Sequence, residues 1–262
     1  MNDPYLLLPL LVTLTGAVLA LFAGLPAINQ RLNVTRLAVL LLLAPLLAFG
    51  LLLWQVMVLG RGPSLVWRFD WIPSLGLSLG LSFDHLSALF ALLVSGIGAL
   101  VMLYAGYYFR GGQRPWGEWR FLTYLLLFMT AMLGLVMAGD VITLFIFWEG
   151  TSVTSFLLIA YKTKDASARR GAFKSLFITG GGGIALLLGL LMLSYVAGGT
   201  DLASILSSGD LLRNSALYPA MLALIALGAF TKSAQTPFHI WLPDAMSCLL
   251  YTSDAADDPT LV

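Results

Sequence analysis

Residues 141–161, from Val141 to Tyr161, read VITLFIFWEGTSVTSFLLIAY. The run is long enough to cross a bilayer as a helix, which takes about 20 apolar residues. One acid, Glu149, stands near its middle. An ionised carboxylate at that depth costs at least about 3 kcal/mol. Glutamate is scarce here: the one other is Glu118, in a hydrophilic stretch. Glu149 is therefore either part of an ion path or a protonated structural acid bonded to a neighbouring helix. Ionisable groups inside a membrane mark ion paths by default, which favours the first reading.

The rest of the chain is of the same kind. Of its 262 residues, 59% are hydrophobic and 10% charged. A soluble domain carries about 25% charged residues, so composition places the chain in the membrane class. A net charge of +1, with no basic cluster, gives no sign of nucleic-acid binding. The start, MNDPYLLLPLL, lacks the basic opening of a cleaved signal peptide, and the first helix is expected to be retained. Cys248 is the single cysteine, so no thiol pair or cysteine-rich metal site is expected. His85 and His239 are too few and too far apart to suggest a metal site, and no phosphate-binding glycine loop is present; no cofactor is expected. Gly180 to Gly183 lie inside an apolar run and are read as close helix packing.

Seven apolar spans can be drawn, at about 5–26, 35–59, 84–109, 121–138, 141–161, 173–197 and 217–242. The expected fold is all-α and polytopic. Residues 60–83 are punctuated by Pro and Gly and partly alternate, as an outer hairpin would. Asp201 to Arg213 are amphipathic and expected along the interface. Loops after spans one, three and five contain Arg31, Arg36, Arg110, Arg114, Arg120, Lys162, Lys164, Arg169, Arg170 and Lys174. Loops after the even spans contain Arg61, Arg68 and Arg213. The basic side faces the cytoplasm, so the N-terminus is expected outside.

The seventh span carries Lys232, followed by SAQTPFHIWLPDAM. If the helix continued to Trp241, Lys232 would lie mid-membrane, and Pro237 is expected to break it there. Broken helices at membrane depth line cavities and mark ion sites. The competing reading ends the membrane at Lys232, with its ammonium at the surface. After Met246 the pattern stops, in SCLLYTSDAADDPTLV. Residues 248–253 can be encoded by tgt ctc tta tac aca tct, which resembles a sequencing-library adapter, so 247–262 are expected to be a non-native tail.

The stretches DWIPSLGLSL, FDHLSALFALLVSGIGALVMLY, LFIFWEGTSVTSFLLIAY and GAFTKSAQTPFHIWLPDAM, in that order between Trp71 and Met246, resemble the proton-conducting antiporter-like membrane subunits. These include the large A subunit of Mrp-type multisubunit sodium/proton antiporters and the membrane-arm subunits of respiratory complex I. The wording around Trp71 to Tyr104 looks nearest the Mrp A subunit, while Trp148-Glu149-Gly150 looks more like complex I. The resemblance implies an inverted repeat of five-helix units, one beginning near span four and cut short here. It implies helices one to three in residues 1–110 and an incomplete proton-translocating unit in 111–246. It implies a transporter subunit rather than an enzyme, with Glu149 and Lys232 as its functional acid and lysine. Partners would be the other subunits of a hetero-oligomeric complex, protons, sodium or another monovalent cation, and the bilayer of the cell membrane. The rival readings are a subunit coupled to a redox complex and a scaffold that moves no ions.

A buried lysine tends to lose its proton and a buried acid to keep one, so approach and separation of the pair would switch proton affinity. His239, after the break, either passes protons or bonds a freed carbonyl. Lys174 either feeds protons inward or, beside Arg169 and Arg170, anchors the cytoplasmic end. Thr151, Ser152, Thr154 and Ser155 either hold water or bond backbone and neighbours, and packing is the expectation. Asp140 and Asp84 are expected as helix caps, and Asp244 as solvated.

Overall fold

The computed structural model describes residues 3–25, 34–72, 74, 77–109, 117–161 and 166–245. The proposed tail at 247–262 and the basic residues Arg31, Arg110, Arg114, Lys162 and Lys164 lie outside them. Asp3 caps a 3-10 turn, Pro4–Leu7, that runs into α1 (Leu8–Ala23). α2 (Val34–Leu41) and α3 (Leu43–Leu59) follow as one interrupted span. Pro45 stands four residues after Leu41 and has no N–H to return to its carbonyl, which interrupts the ladder there. The expected hairpin is present: β1 (Leu65–Ile72) pairs antiparallel with β2 (Leu77–Phe83), Leu65 opposite Phe83. Asp84 then caps α4 (His85–Tyr108), with Ser87 returning the bond in a capping box.

α5 (Glu118–Val136), α6 (Val141–Ile159) and α7 (Ala166–Ala197) are the remaining long helices. Two short helices, α8 (Leu202–Ser207) and α9 (Gly209–Arg213), cover the expected amphipathic stretch, and α10 (Tyr218–Lys232) closes the bundle. Among the described residues, six helical segments are long and apolar enough to cross a membrane: Pro4–Ala23, Thr35–Leu59, His85–Tyr108, Glu118–Val136, Val141–Ile159 and Ala166–Ala197. The chain is a multi-pass, helical membrane protein. Its outward faces agree, since Met57, Leu100 and Phe177 are 79%, 68% and 76% exposed, a pattern suited to lipid. α7 begins seven residues earlier than the apolar run suggests. At about 1.5 Å per residue its 32 residues outrun the roughly 30 Å hydrocarbon layer, so its first turns, with Arg169 and Arg170 exposed, extend beyond it.

Hydrophobic burial gives no drive between helices in lipid, so close packing of small residues has to supply it. Gly16 meets Ala44, Gly106 meets Ala38, and Gly150 meets Ala131. α1, α3, α4 and α5 form one group, and α6, α7 and α10 extend from the far side of α5, with α7 and α10 in extensive contact.

The end of the bundle that carries the hairpin is tied by residues 137–141. Ser82 N–H donates to the Met137 carbonyl and Gly139 N–H to the Gly80 carbonyl, both at 2.8 Å. Leu202 N–H reaches the Gly139 carbonyl from the other side, at 3.1 Å. Asp140, fully buried, caps α6 as expected, accepting from Thr143 N–H at 2.8 Å and its hydroxyl at 2.7 Å. That hydroxyl in turn accepts from Gly80 N–H, at 2.9 Å. Burial pushes the Asp140 carboxyl above the usual carboxylate range, against the opposing pull of the bonds from Thr143. Arg68 of β1 pairs with Asp201, which also caps α8.

Candidate functional site: an acid and a lysine on adjoining helices

The break in α10 differs from the expectation. The helix stops at Lys232, five residues before Pro237. Ser233 N–H still reaches the Ala229 carbonyl, Ala234 turns into the left-handed region at φ +53°, and Gln235 N–H returns to the Phe230 carbonyl at 3.0 Å. That is a Schellman-type termination centred on Ala234. Trp241, beyond the break, donates its indole N–H to the Thr231 carbonyl at 3.0 Å. The carbonyls freed at the break thus find partners, which lets the helix end inside protein. Residues 238–240 form a 3-10 turn and 241–245 are helical.

Lys232 does not run to the surface. Its Nζ donates to Thr151 Oγ1 and Ser152 Oγ of α6, at 2.8 Å each. The ammonium also lies 5.4 Å from the centre of the Trp148 ring, a cation–π distance. Thr151 and Ser152 are both buried, so the polar pocket is enclosed. The packing expected of the four hydroxyl residues therefore divides. Thr154 and Ser155 bond carbonyls of their own helix, while Thr151 and Ser152 also receive the lysine.

Glu149 stands two and three residues before these hydroxyls on α6. Its Oε1 is buried with no hydrogen-bond partner among the described residues, and so is the neighbouring Trp148 Nε1. A buried polar atom left unmatched costs about 1–3 kcal/mol, and such atoms in a native fold ask for an explanation. The glycine run on α7 supplies the space. A Cβ at Gly183 would lie 1.9 Å from Glu149 Oε1, and one at Gly182 would lie 1.7 Å from Thr231 Oγ1. Gly183 brings α7 against the carboxylate and Gly182 brings it against Thr231 of α10, roles that the run's apolar context did not reveal.

The other candidates fall elsewhere. Lys174 on α7 pairs with Asp244 at 2.6 Å, both half exposed, so Asp244 is more than a solvated acid. His239 is exposed and its imidazole makes no hydrogen bond among the described residues, so its ring bonds no freed carbonyl. No grouping of three or more metal-ligating side chains occurs among the described residues.

Known proteins resemble this chain over most of its length. Residues 138–250 match the family described as NADH:quinone oxidoreductase/Mrp antiporter, TM. Residues 69–122 match the family described as NADH-Ubiquinone oxidoreductase (complex I), chain 5 N-terminus. A putative antiporter subunit, mnhA2, of Staphylococcus aureus (strain MRSA252) is 40% identical over 255 residues, covering 96% of this chain and 31% of that protein. The chain is similar to the antiporter-like membrane subunits, and among them to the Mrp-type A subunit. A probable K(+)/H(+) antiporter A/B subunit of Rhizobium meliloti (strain 1021) is 46% identical over 201 residues, 77% of this chain and 20% of that protein. The solved Mrp complex from Dietzia sp. DQ12-45-1b superposes with a TM-score of 0.73 at 34% identity, over 92% of this chain and 25% of that one. The membrane-bound sulfane sulfur reductase, an archaeal respiratory membrane complex, shares the fold at a TM-score of 0.74 and 22% identity, over 93% of this chain and 47% of that one. This Mrp A-like chain spans less than a third of the length of these curated relatives.

Proposed function

We propose that this chain is part of a subunit of a multisubunit monovalent-cation/proton antiporter, and that protons move through Glu149 and Lys232. One observation carries the reading: among the described residues, an acid with an unmatched buried oxygen stands on the membrane helix α6, and a lysine with no carboxylate bonded to it reaches that helix from the shorter apolar helix α10, with three polar side chains around them. A structural ion pair would have closed. An open pair in a low-dielectric site stores a choice of partner, which a passing cation or proton can tip. Removing one member strands the other, so both are expected to be needed.

The K(+)/H(+) antiporter name of the Rhizobium meliloti relative supports a monovalent cation as the counter-ion, sodium being the one the sequence resemblance implies, and the subunit names support the other subunits of a complex as partners. The basic loops support a cell-membrane protein whose N-terminus is extracytoplasmic. His239 and Lys174 remain candidates for passing protons, His239 on an exposed turn and Lys174 in a pair that opens to water. We propose helices one to three, up to residue 110, as a unit distinct from the translocating unit in 111–246. The match to a complex I chain over residues 69–122 favours a second reading, in which the same relay is driven by redox chemistry. The full-length subunit, assembled with its neighbours in everted vesicles, separates the two. Sodium-driven proton flux with no electron donor supports the antiporter. Flux only with a donor such as NADH and a quinone supports the redox-coupled reading, and no flux under either condition leaves a scaffold.

A further inference from the structure

The hydroxyls that receive Lys232 are already committed. Thr151 Oγ1 donates to the Trp148 carbonyl at 2.7 Å and Ser152 Oγ donates to the same carbonyl at 3.2 Å. A hydroxyl has one hydrogen and two lone pairs, so with the hydrogen turned back along the helix each presents acceptor electrons only. Two such acceptors and the face of Trp148 form a cradle with the chemistry of an ammonium site. The cradle is neutral, and Glu149 stands two and three residues before its hydroxyls on the same helix, with Oε1 unmatched among the described residues.

We infer that Thr151 and Ser152 are positioning residues that hold the Lys232 ammonium apart from Glu149, so that the lysine moves between the hydroxyl cradle and the carboxylate during transport. This rests on the antiporter reading above. An ammonium and a carboxylate that close in a low-dielectric site attract strongly, and a pair with no competing position stays closed. The cradle is that competing position. Lysine suits it, with a flexible four-carbon stem and a compact charge carrying three donors. Among the described residues, the other charges on the elements packed about Lys232 are few. From α6 it faces Glu149; on α7, Lys174 is bonded to Asp244 of the segment after α10; His239 of that segment is exposed.

The test uses the full-length subunit in its complex, with Thr151→Val and Ser152→Ala combined. Valine keeps the shape of threonine and alanine removes only the hydroxyl. Cryo-EM of the variant is expected to show Lys232 Nζ bonded to the Glu149 carboxylate. Losing the two hydroxyl bonds loosens the ammonium's hold on its proton, but the carboxylate it closes on tightens that hold by more, since an opposite charge in contact favours the charged form by about 1–3 units. The closed pair gives up its proton less readily, and the pH profile of antiport is expected to move about one unit to the alkaline side. Thr151→Ser with Ser152→Thr, which keeps both hydroxyls, is expected to retain the wild-type position and profile. If the combined variant does not assemble, Thr151→Val alone is expected to shift the profile in the same direction. Nζ remaining in place, or a profile unchanged or moved to the acid side, overturns the cradle. Loss of flux in Glu149→Ala and Lys232→Ala alongside an unaffected cradle variant sinks this inference only. Full flux in Glu149→Ala and Lys232→Ala sinks the relay beneath it.

Discussion

Gly183→Ala is the substitution that separates a site glycine from a packing glycine. The added Cβ would lie 1.9 Å from Glu149 Oε1, 3.1 Å from its Cδ and 3.5 Å from Trp148 Cδ1. The oxygen must retreat by about 1.5 Å to reach ordinary contact near 3.5 Å. A carboxylate end swings easily, so the overpacking cost sits at the low end of about 1–3 kcal/mol. Replacing a mid-helix glycine with alanine returns about 1 kcal/mol of helix propensity. The two nearly cancel, and the thermal midpoint of the assembled complex is expected to stay close to wild type. Transport is expected to fall on the order of tenfold or more, because the proton-bearing atom is displaced by more than 1 Å. Gly182→Ala meets Thr231 at Cβ, 2.7 Å, and Cγ2, 3.0 Å, as well as at its hydroxyl; this buried, branched side chain cannot swing clear. It is expected to destabilise the complex outright. Gly181→Ala meets nothing within 4 Å and is expected to be neutral or stabilising by up to about 1 kcal/mol. Melting in detergent and proton flux in everted vesicles read both quantities. Gly183→Ala with wild-type flux and the melting behaviour of Gly181→Ala would refute the placement of the carboxylate against α7.

The same reasoning extends to other positions. Ala234→Gly should stabilise by about 1 kcal/mol, since alanine bears a left-handed conformation that glycine adopts freely; a lower melting midpoint would contradict the helix termination at Lys232. Asp140→Ala should cost about 1–2 kcal/mol through the lost cap, and Asp140→Asn, which keeps an acceptor, less. Because burial raises the Asp140 carboxyl in the folded state, folding favours its protonated form, and this contribution to stability declines as pH rises from the ordinary value of 3.8 through the raised one. Asp140→Asn should therefore gain on wild type as pH rises through that window, and a difference independent of pH would contradict it. Single cysteines at Ser64 and Ser167 should be labelled by an impermeant reagent from the outer and cytoplasmic sides respectively; the reverse result would invert the proposed orientation.

Much of the architecture was legible because hydropathy over 20-residue windows and capping chemistry are local signals. The long spans, the hairpin at 65–83 and the caps at Asp84 and Asp140 all follow from neighbouring residues. The end of α10 was not legible. Its termination uses Ala234, where a glycine would have announced it, and Pro237 drew the expected break five residues too late. The pairing of Lys174 with Asp244 joins residues 70 apart, which no local pattern encodes. In the site, the isolated charges Glu149 and Lys232 stood out against apolar sequence. Their neighbours did not, because hydroxyls two and three residues past an acid look like ordinary helix back-bonding. Only the reach of Lys232 from α10, which packs on α7, shows that two of them face an ammonium.

The claim that Glu149 and Lys232 act as one proton relay is tested most directly by a double-mutant cycle on flux. The full-length subunit carrying Glu149→Ala, Lys232→Ala or both is incorporated with its partners in everted vesicles, with expression matched by blot. Each single change is expected to reduce cation-driven proton movement severely. The pair together is expected to lose little more than either alone, since residues acting as a unit fail together. Wild-type flux from well-expressed Glu149→Ala would contradict the relay.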